Sequence, residues 1–397
     1  MKYAVIILDG AAGWPLDELG GKTCLEAAET PVLDSLAREG LLGMARTIPA
    51  GTEPSSAAAC TSILGYDPVS SYVGRGAIEA ASMGITLQPG QVALRLNLVT
   101  LDDGLMRSYS CGHILTEDAH ELVAELDDAL SDEAFAFYPG VAYRHILVVS
   151  HHAELLEASY TPPHDISDKP IAGHLPSGPG TEVLLDLMHR AHPVLAASET
   201  NRRRIEAGRL PATDVWPFWP GVAPTGLVPF RQCHGTSAAM TSGVDLLNGL
   251  ATLFGIARLD IPGVTDGSDN DYAAQAEGAL AALEEHELVV VHVESPDEEG
   301  HAGDVVGKIR AIEEIDRHVV SRFAEHGGDI RILAMPDHPT PTAIKTHTAD
   351  PVPFVLWGQG VEPNKGESFC EAAAEVAEYV VDPGRGVMEL LLEEIDE

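Results

Sequence analysis

The sequence is poor in positive charge, in cysteine and in long apolar runs. Its 24 lysine and arginine residues are outnumbered by 61 aspartate and glutamate residues, which gives a formal net charge of −37 at pH 7. A surface of this sign repels nucleic acid and anionic lipid, so neither is expected as a partner. The few arginines and lysines that lie inside motifs are therefore of interest as binding groups for an anionic substrate.

The five cysteines are odd in number, scattered, and never spaced as C-x-x-C. Such usage is typical of reduced thiols in a cytoplasmic protein rather than of a disulfide framework or a zinc site. Because no run of about 18 apolar residues occurs, no membrane-spanning segment is predicted. The apolar start, MKYAVIILDG, is interpreted as a buried strand and not as a signal peptide.

What the sequence does contain is the pattern of an α/β protein with an insert. Its 397 residues predict two domains. The apolar runs Tyr3–Leu8, Leu288–Val293 and Ile330–Met335 predict parallel strands that are buried on both faces. Residues 87–225 combine paired strands, helices and Pro/Gly-rich segments, which predicts an α+β unit inserted into a core made of 1–86 and 226–397. The oligomeric state is not indicated.

Acids and histidines follow each of the three predicted strands. They are Asp9, then Asp297 and His301, then Asp337, His338 and His347. Because the carboxyl ends of parallel strands meet at one edge of a sheet, these side chains are expected to lie close together. Taken singly, each group has an ordinary interpretation as a capped turn or a proline-rich loop. Taken together, their oxygen and nitrogen atoms predict two sites for divalent metal ions.

Known nucleotide-binding motifs are not supported. The stretch GDVVGKI is one residue short of a P-loop and has Ile309 where a serine or threonine belongs, and GRGAIEA has Glu79 in place of the third glycine of a dinucleotide fingerprint. Spacing alone does not exclude a Ser–His–Asp triad, but no G-x-S-x-G elbow is present. No nucleotide cofactor is expected.

These residues lie in motifs that resemble the archaeal-type, cofactor-independent phosphoglycerate mutases of the alkaline phosphatase superfamily. The resemblance extends over nearly the whole chain and includes ILDG, SILGYDP, GRGAIEAASMGI, LRLNLVT, VHVESPDEEGHAGD and PDHPTPTAIKTHTADPVPF. It implies an alkaline-phosphatase-like core that holds two divalent ions, with Mn²⁺ expected first and Zn²⁺, Co²⁺ or Mg²⁺ as alternatives. One ion would be bound by Asp297, His301 and His347. The other would be bound by Asp9, Asp337 and His338, together with a serine oxygen.

The resemblance also implies a phosphoserine intermediate. Counting back from LGYDP aligns the nucleophile with Ser56, and it makes Ser55, Ala57 and Cys60 departures from the residues usual in the family. The alternative is that these serines only cap a helix. In the implied reaction, 3-phosphoglycerate gives its phosphoryl group to Ser56 and receives it back on the 2-hydroxyl. The inserted unit is expected to close over the site and exclude water.

Further residues are predicted to bind the substrate, a small phosphorylated carboxylic acid. They are Arg75, His164, Asp165, Arg202, Arg204 and Lys345. An arginine fork suits a carboxylate or a phosphate, although arginines on a solvated helix are the ordinary interpretation of such positions. The segment WPFWPG also departs from the usual family sequence, so no contact is assigned to it.

Two other functions stay open. One is a related phosphotransferase with another acceptor, such as a homoserine kinase, or a phosphatase of small phosphate esters. The other is a metal-binding protein without catalysis, against which the six metal-type ligands argue. No feature of the sequence separates a mutase from a kinase or a phosphatase.

Overall fold

The computed structural model describes residues 1–326, 329–364 and 366–393. The chain forms two compact units, which we call the core unit (residues 1–72 and 226–397) and the inserted unit (residues 73–225). The predicted α/β class with an α+β insert agrees with this division. The inserted unit begins at Val73, earlier in the chain than the predicted 87.

The strands, in chain order, are β1 (Lys2–Leu8), β2 (Leu41–Ala45), β3 (Gln91–Asp102), β4 (Leu105–Ser108), β5 (Phe135–Tyr138), β6 (Arg144–Ser150), β7 (Asp214–Val222), β8 (Ala238–Thr241), β9 (Ala257–Arg258), β10 (Leu288–Val293), β11 (Ile330–Met335), β12 (Val352–Gly358) and β13 (Val380–Val381).

The α-helices are α1 (Cys24–Ala27), α2 (Pro31–Glu39), α3 (Ser56–Ile63), α4 (Pro68–Ser71), α5 (Arg75–Ser82), α6 (Thr116–Leu130), α7 (Glu182–Ala197), α8 (Glu199–Glu206), α9 (Phe230–His234), α10 (Asp245–Phe254), α11 (Tyr272–Ala282), α12 (Ser295–Ala302), α13 (Val305–Ile315), α14 (Ser321–Ala324), α15 (Glu371–Val376) and α16 (Gly386–Leu392). Short 3-10 turns occupy Asp17–Leu19, Ala153–Glu157 and Pro163–Ile166, and a π-helical turn occupies Asp316–Val320.

The core unit is built on a mixed eight-stranded sheet with the strand order β13-β2-β12-β11-β1-β10-β8-β9. Strand β1 lies between β10 and β11 and is parallel to both, with Val5 opposite Val290 and Leu333. Strands β10 and β11 are buried along their whole length, which explains why their sequences do not alternate. The three predicted parallel strands are confirmed, and their carboxyl ends lie at the same edge of the sheet.

The inserted unit is built on a five-stranded antiparallel sheet. Strand β3 pairs with β6 on one side and with β7 and β4 on the other. Helix α6 covers the stretch TEDAHELVAELDDAL and buries an apolar stripe that includes Leu122 and Leu126. This stripe packs with α7 and with one face of the sheet to form the core of the unit.

The segment that contains WPFWPG forms edge strand β7, although its prolines and glycine predict an irregular return of the chain. An edge strand tolerates Pro217 and Pro220 because one side of it needs no amide donor for the ladder. The pairing of β7 with β3 shifts between Leu94 and Arg95, and Trp219 occupies the resulting bulge with a left-handed φ of +48°.

The early start of the inserted unit is explained by helix α5, which packs on β3 and β7. Its Gly76 allows a close approach, since a Cβ there would lie 2.3 Å from the carbonyl oxygen of Ala93 and 2.6 Å from that of Trp219. The small residues of GRGAIEA therefore serve the packing of a helix on a sheet.

Candidate active site

The acids that follow β1 and β11 are held together by a tight turn. Asp9 and Asp337 are fully buried. Gly10, which follows Asp9 directly, has a φ of +61°, and its N–H donates to Oδ1 of Asp337 at 3.0 Å. A Cβ at Gly10 would lie 2.4 Å from Oδ1 of Asp297, so only glycine lets the three carboxylates come this close.

Asp297, His301 and His347 form one group of facing ligand atoms. Nε2 of His301 lies 3.1 Å from Oδ2 of Asp297 and 2.9 Å from Nε2 of His347, and His347 lies 3.5 Å from Oδ1 of Asp297. Asp297 and His301 lie on α12. Their spacing of four residues places them on one face of that helix.

Asp9, Asp337 and His338 form a second group, which includes the hydroxyl of Ser56. Nε2 of His338 lies 3.6 Å from Oδ1 of Asp9, 3.3 Å from Oδ2 of Asp337 and 3.1 Å from Oγ of Ser56. The structure thus brings all seven residues predicted as metal ligands into two adjoining groups at the carboxyl edge of the core sheet.

The two serines of PSSAAAC occupy different positions. Ser55 is the N-cap of α3, and its Oγ accepts a hydrogen bond from the N–H of Ala58 at 3.3 Å. Ser56 is the first residue of the helix, is 8% exposed, and faces His338. Cys60 lies one turn further along α3, with Sγ 3.7 Å from Oδ2 of Asp337. The capping function and the contact with the metal-type ligands are therefore divided between the two hydroxyls.

The electrostatics of the two groups differ. Burial, together with the charges of Asp337 and Asp297, raises the pKa of Asp9 well above its usual value. Burial opposes ionisation of Asp297 as well, but hydrogen bonds from His301 and His347 and the nearby imidazoles hold its pKa well below the usual value. The hydrogen bond to Asp297 raises the pKa of His301 to about 9.

The imidazole tautomers fit a bound cation. Nδ1 of His301 lies 3.0 Å from the carbonyl oxygen of Lys345, and Nδ1 of His347 lies 3.4 Å from that of Pro54. A carbonyl only accepts, so each Nδ1 carries a proton, and each Nε2 is left to donate to Asp297 when protonated or to bind a cation when deprotonated. The two Nε2 atoms face each other at 2.9 Å, so they need a shared proton or a common cation between them. The groups Asp297–His338–His347 and Asp9–Asp337–His338 each have ligand atoms within 4.8 Å of one another.

A third group was missed by the sequence reasoning. Asp9, His292 and Glu294 also have ligand atoms within 4.8 Å of one another. Nε2 of His292 lies 2.7 Å from Oδ2 of Asp9, and its Nδ1 lies 2.9 Å from Oγ of Ser242, so His292 orients a carboxylate of the second group. The signal was a histidine inside the apolar run of β10, with Glu294 two residues later.

Three of the residues predicted to bind substrate have other partners. Arg204 is buried and donates to Asp118 and to the carbonyl oxygens of Cys111 and Leu210, so it stabilises the inserted unit. Arg202 is exposed and pairs with Glu199 on its own helix. In the core unit, Nζ of Lys345 donates to the carbonyl oxygen of Ala302 at 2.8 Å.

Arg75 and His164 lie near each other within the inserted unit. Cζ of Arg75 lies 4.1 Å from the centre of the Trp219 ring, and the imidazole of His164 lies 5.6 Å from the same ring. Asp165 is largely exposed beside His164, at 3.8 Å. Sequence reasoning missed Trp219 here because WPFWPG did not predict a strand.

None of the helices in the described residues is both long enough and apolar enough to cross a membrane.

A family model described as 2,3-bisphosphoglycerate-independent phosphoglycerate mutase matches residues 37–201. The chain is 43% identical to a protein of that name from Methanothrix thermoacetophila, over 99% of this chain and 100% of the relative. It is also 43% identical to one from Methanosarcina barkeri, over 94% of this chain and 95% of the relative.

Two solved structures are similar over nearly the whole chain, each at 26% sequence identity. A protein from Pyrococcus horikoshii has a TM-score of 0.85, with 99% of this chain and 96% of that chain covered. A cofactor-independent phosphoglycerate mutase from Thermoplasma acidophilum has a TM-score of 0.70, with 99% of each chain covered.

Proposed function

Because the chain belongs to the 2,3-bisphosphoglycerate-independent phosphoglycerate mutase family, we propose that it interconverts 3-phosphoglycerate and 2-phosphoglycerate through a phosphorylated Ser56. The observation that carries this proposal is the position of the Ser56 hydroxyl, 3.1 Å from Nε2 of His338 and at the start of α3. The enzyme is thus an isomerase whose substrate is a small phosphorylated acid.

The metal-type groups support this chemistry. Asp297, His301 and His347 would hold one divalent ion, and Asp9, Asp337 and His338 would hold the other with Ser56, with Mn²⁺ the first expectation. Such ions lower the pKa of a serine hydroxyl and offset the charge of phosphoryl oxygens. Their binding would also compensate the three carboxylates that lie together in this buried place.

The chain's own residues account for the transfer in two balanced steps. In the first, Oγ of Ser56 forms a bond to phosphorus, the bond from phosphorus to the 3-oxygen breaks, and the serine proton passes to that oxygen. In the second, the 2-hydroxyl oxygen of the retained glycerate forms a bond to phosphorus, the bond from phosphorus to Oγ of Ser56 breaks, and the proton of the 2-hydroxyl passes to that Oγ. Ser56 at the N-terminus of α3 places the phosphoryl group near free backbone N–H groups and the positive end of the helix dipole.

The first prediction compares the two adjacent serines. Ser56→Ala removes the atom that carries the phosphoryl group, so it should lower kcat by at least about 10⁴-fold. Ser55→Ala removes only the helix cap, so it should keep most activity and cost about 1 kcal/mol of stability. An enolase-coupled assay with Mn²⁺, Co²⁺, Zn²⁺ and Mg²⁺ supplied in turn measures the rate, and mass spectrometry of acid-quenched protein locates the phosphoryl group.

Each contrary outcome has a distinct meaning. A phosphoryl group that persists in Ser56→Ala but is lost in Ser55→Ala would assign the nucleophile to Ser55. Release of inorganic phosphate without 2-phosphoglycerate would replace the mutase with a phosphatase, and phosphorylation of homoserine by ATP would replace it with a kinase. No turnover with any of the four metals contradicts the proposal outright.

A further inference from the structure

The side chain of Ser242 is connected to the candidate active site through a single histidine. Ser242 follows β8 directly, and its Oγ lies 2.9 Å from Nδ1 of His292 on β10. Nε2 of the same imidazole lies 2.7 Å from Oδ2 of Asp9. Because β8, β10 and β1 are parallel neighbours in the core sheet, these three side chains form a row along its carboxyl edge.

All three side chains of this row are buried. His292 and Asp9 are fully buried, and Ser242 is 8% exposed. Buried polar groups of this kind take their hydrogen-bond partners from the chain. The direction of each hydrogen bond therefore follows from the donors and acceptors that the neighbouring residues provide.

The hydroxyl of Ser242 donates to His292. Its Oγ accepts a hydrogen bond from the N–H of Val244 at 3.0 Å and carries one proton of its own. Among the described residues, Nδ1 of His292 is the acceptor within reach of that proton. An imidazole that accepts at Nδ1 carries its proton on Nε2, so Ser242 selects the tautomer of His292.

This tautomer decides how the two oxygens of Asp9 are used. The N–H at Nε2 of His292 donates to Oδ2, since the next carboxylate, that of Glu294, lies at 3.6 Å. Oδ1 of Asp9 has no hydrogen-bond partner among the residues that the structure describes, and it lies 3.6 Å from Nε2 of His338. One oxygen of Asp9 is thus occupied, and the other is available to a cation beside His338.

Two helices of the core unit hold this row in place. The carbonyl oxygen of Ser242 accepts from Nδ2 of Asn248 on α10 at 3.3 Å, and Val244 is the N-cap of that helix. The carbonyl oxygen of His292 accepts from Nε2 of Gln275 on α11 at 2.9 Å. The serine and the histidine are therefore oriented by hydrogen bonds that do not involve the metal-type ligands.

We propose that Ser242 is a positioning residue for the ion of the second group. Its hydroxyl fixes the tautomer of His292, which holds Oδ2 of Asp9 and leaves Oδ1 to bind the ion. The inference rests on the proposed function, since that function assigns an ion to Asp9, Asp337 and His338. Without the hydroxyl, the ring proton is free to move to Nδ1, and a lone pair of Nε2 would then face the carboxylate.

The first part of the test measures metal affinity in a parent protein that carries His301→Ala, which should keep only the ion of the second group. Isothermal titration calorimetry uses the metal-free full-length protein and Mn²⁺ alone. Adding Ser242→Ala should weaken Mn²⁺ binding by about 10–100-fold, the usual effect of losing a group that orients a ligand. Ser242→Thr keeps the hydroxyl, so it should restore the affinity of the parent.

Ser110→Ala in the same parent is the matched control. Ser110 is a buried serine of the inserted unit, and its Oγ accepts a hydrogen bond from the N–H of His113 at 3.3 Å. The substitution also removes a buried hydroxyl, but it should leave the affinity for Mn²⁺ unchanged.

The second part of the test observes the tautomer directly. Heteronuclear NMR of metal-free protein with ¹⁵N-labelled histidine is recorded at about pH 8, where an ordinary imidazole is neutral. The signals that disappear in His292→Gln belong to this ring. Wild type should show the proton on Nε2 and an unprotonated Nδ1, and Ser242→Ala should show a larger share of the other tautomer.

Three results would overturn the proposal. They are an unchanged Mn²⁺ affinity in Ser242→Ala, a wild-type ring with its proton on Nδ1, and a loss of affinity in Ser242→Thr as large as that in Ser242→Ala. The last would assign the effect to packing and not to the hydroxyl.

The outcome is separable from that of the proposed function, because neither measurement contains a phosphorylated substrate. An affinity that depends on the Ser242 hydroxyl, with no mutase activity, would reject only the mutase. Full mutase activity with an affinity that is independent of Ser242 would reject only the positioning function.

Discussion

At the scale of single residues, Lys308 shows how the candidate active site is braced. It is fully buried, and its Nζ donates to the carbonyl oxygens of Ala12 at 3.0 Å and Thr340 at 2.7 Å. These two carbonyls belong to the loops that follow β1 and β11. Burial lowers the pKa of Lys308 to about 8, yet two buried acceptors stabilise the ammonium. One side chain thus fixes the spacing of the loops that carry Asp9 and His338.

The second prediction concerns the ligands of the first metal group. His301→Ala and His347→Ala should each lower the metal content of the purified, dialysed protein by about one ion per chain, because each removes one of three ligands. The group of Asp9, Asp337 and His338 should keep its ion. Plasma mass spectrometry measures the metal content.

His318→Ala is the matched control, since His318 is half-buried and pairs with Glu314 on the neighbouring turn of its helix. It should leave the metal content unchanged. Two ions still bound per chain in both His301→Ala and His347→Ala would refute the assignment.

The sequence predicted those residues of the candidate site that are acids or histidines and that directly follow a buried strand. Asp9, Asp337 and His338 follow buried strands, and parallel strands bring their carboxyl ends together. His292 lies inside a strand, where only tertiary contacts decide whether a polar side chain orients a ligand or binds one itself. Arg204 was predicted to bind substrate, but the structure buries it in an ion pair with Asp118. The sequence could not predict this pairing, because the two residues are distant along the chain.

At the scale of elements, helix α5 shows why a glycine-rich motif can be structural. Its backbone lies close to the bulge in β7, and that bulge turns Trp219 toward Arg75. Glu79 on the same helix then joins Arg75 to Arg95. The motif GRGAIEA thus provides close packing through Gly76 and charge pairing through Glu79.

The third prediction tests this packing. Gly76→Ala should destabilise the inserted unit by about 2–3 kcal/mol, because its Cβ would collide with two carbonyl oxygens of the sheet backbone. Denaturant unfolding followed by circular dichroism measures the change. Gly13→Ala is the control, since a Cβ there would come no closer than 3.7 Å to its neighbours. Equal stabilities for wild type and Gly76→Ala would show that the helix can shift at no cost.

The elements themselves were predictable where periodicity was strong. The apolar runs predicted β10 and β11 with the bounds that the structure shows. Strand β7 was not predicted because its prolines argue against a strand unless it lies at an edge, and edge position is a property of the assembled sheet. The predicted boundary at residue 87 left helix α5 in the core unit, whereas the structure places it in the inserted unit. Its packing on β3 and β7 decides this, and such packing is also a property of the assembled sheet.

At the scale of the whole molecule, the charge of −37 opposes compaction because like charges repel. The fourth prediction is that added NaCl stabilises the fold. Raising NaCl from about 0.1 M to about 1 M shortens the Debye length from about 10 Å to about 3 Å, so the thermal unfolding midpoint should rise. Differential scanning calorimetry measures it.

A variant that carries Glu117→Lys and Asp128→Lys provides the comparison, since both acids are exposed on α6. Its midpoint should depend less on NaCl than that of wild type. Sucrose, which is uncharged, should affect the two proteins equally. A midpoint that is independent of NaCl, or that falls as NaCl is added, contradicts this account of the surface.

The position of β1 in the core sheet also bears on the order in which the chain can fold during synthesis. Among the described strands β1 is synthesised before the others, but its partners are Leu288–Val293 and Ile330–Met335. At roughly 5–20 residues per second, β1 waits for at least about 15–60 s for its first neighbour. The described strands of the inserted unit pair with one another, so this unit can fold within that interval. A nascent chain can therefore carry a folded inserted unit before either neighbour of the strand that precedes Asp9 has been synthesised.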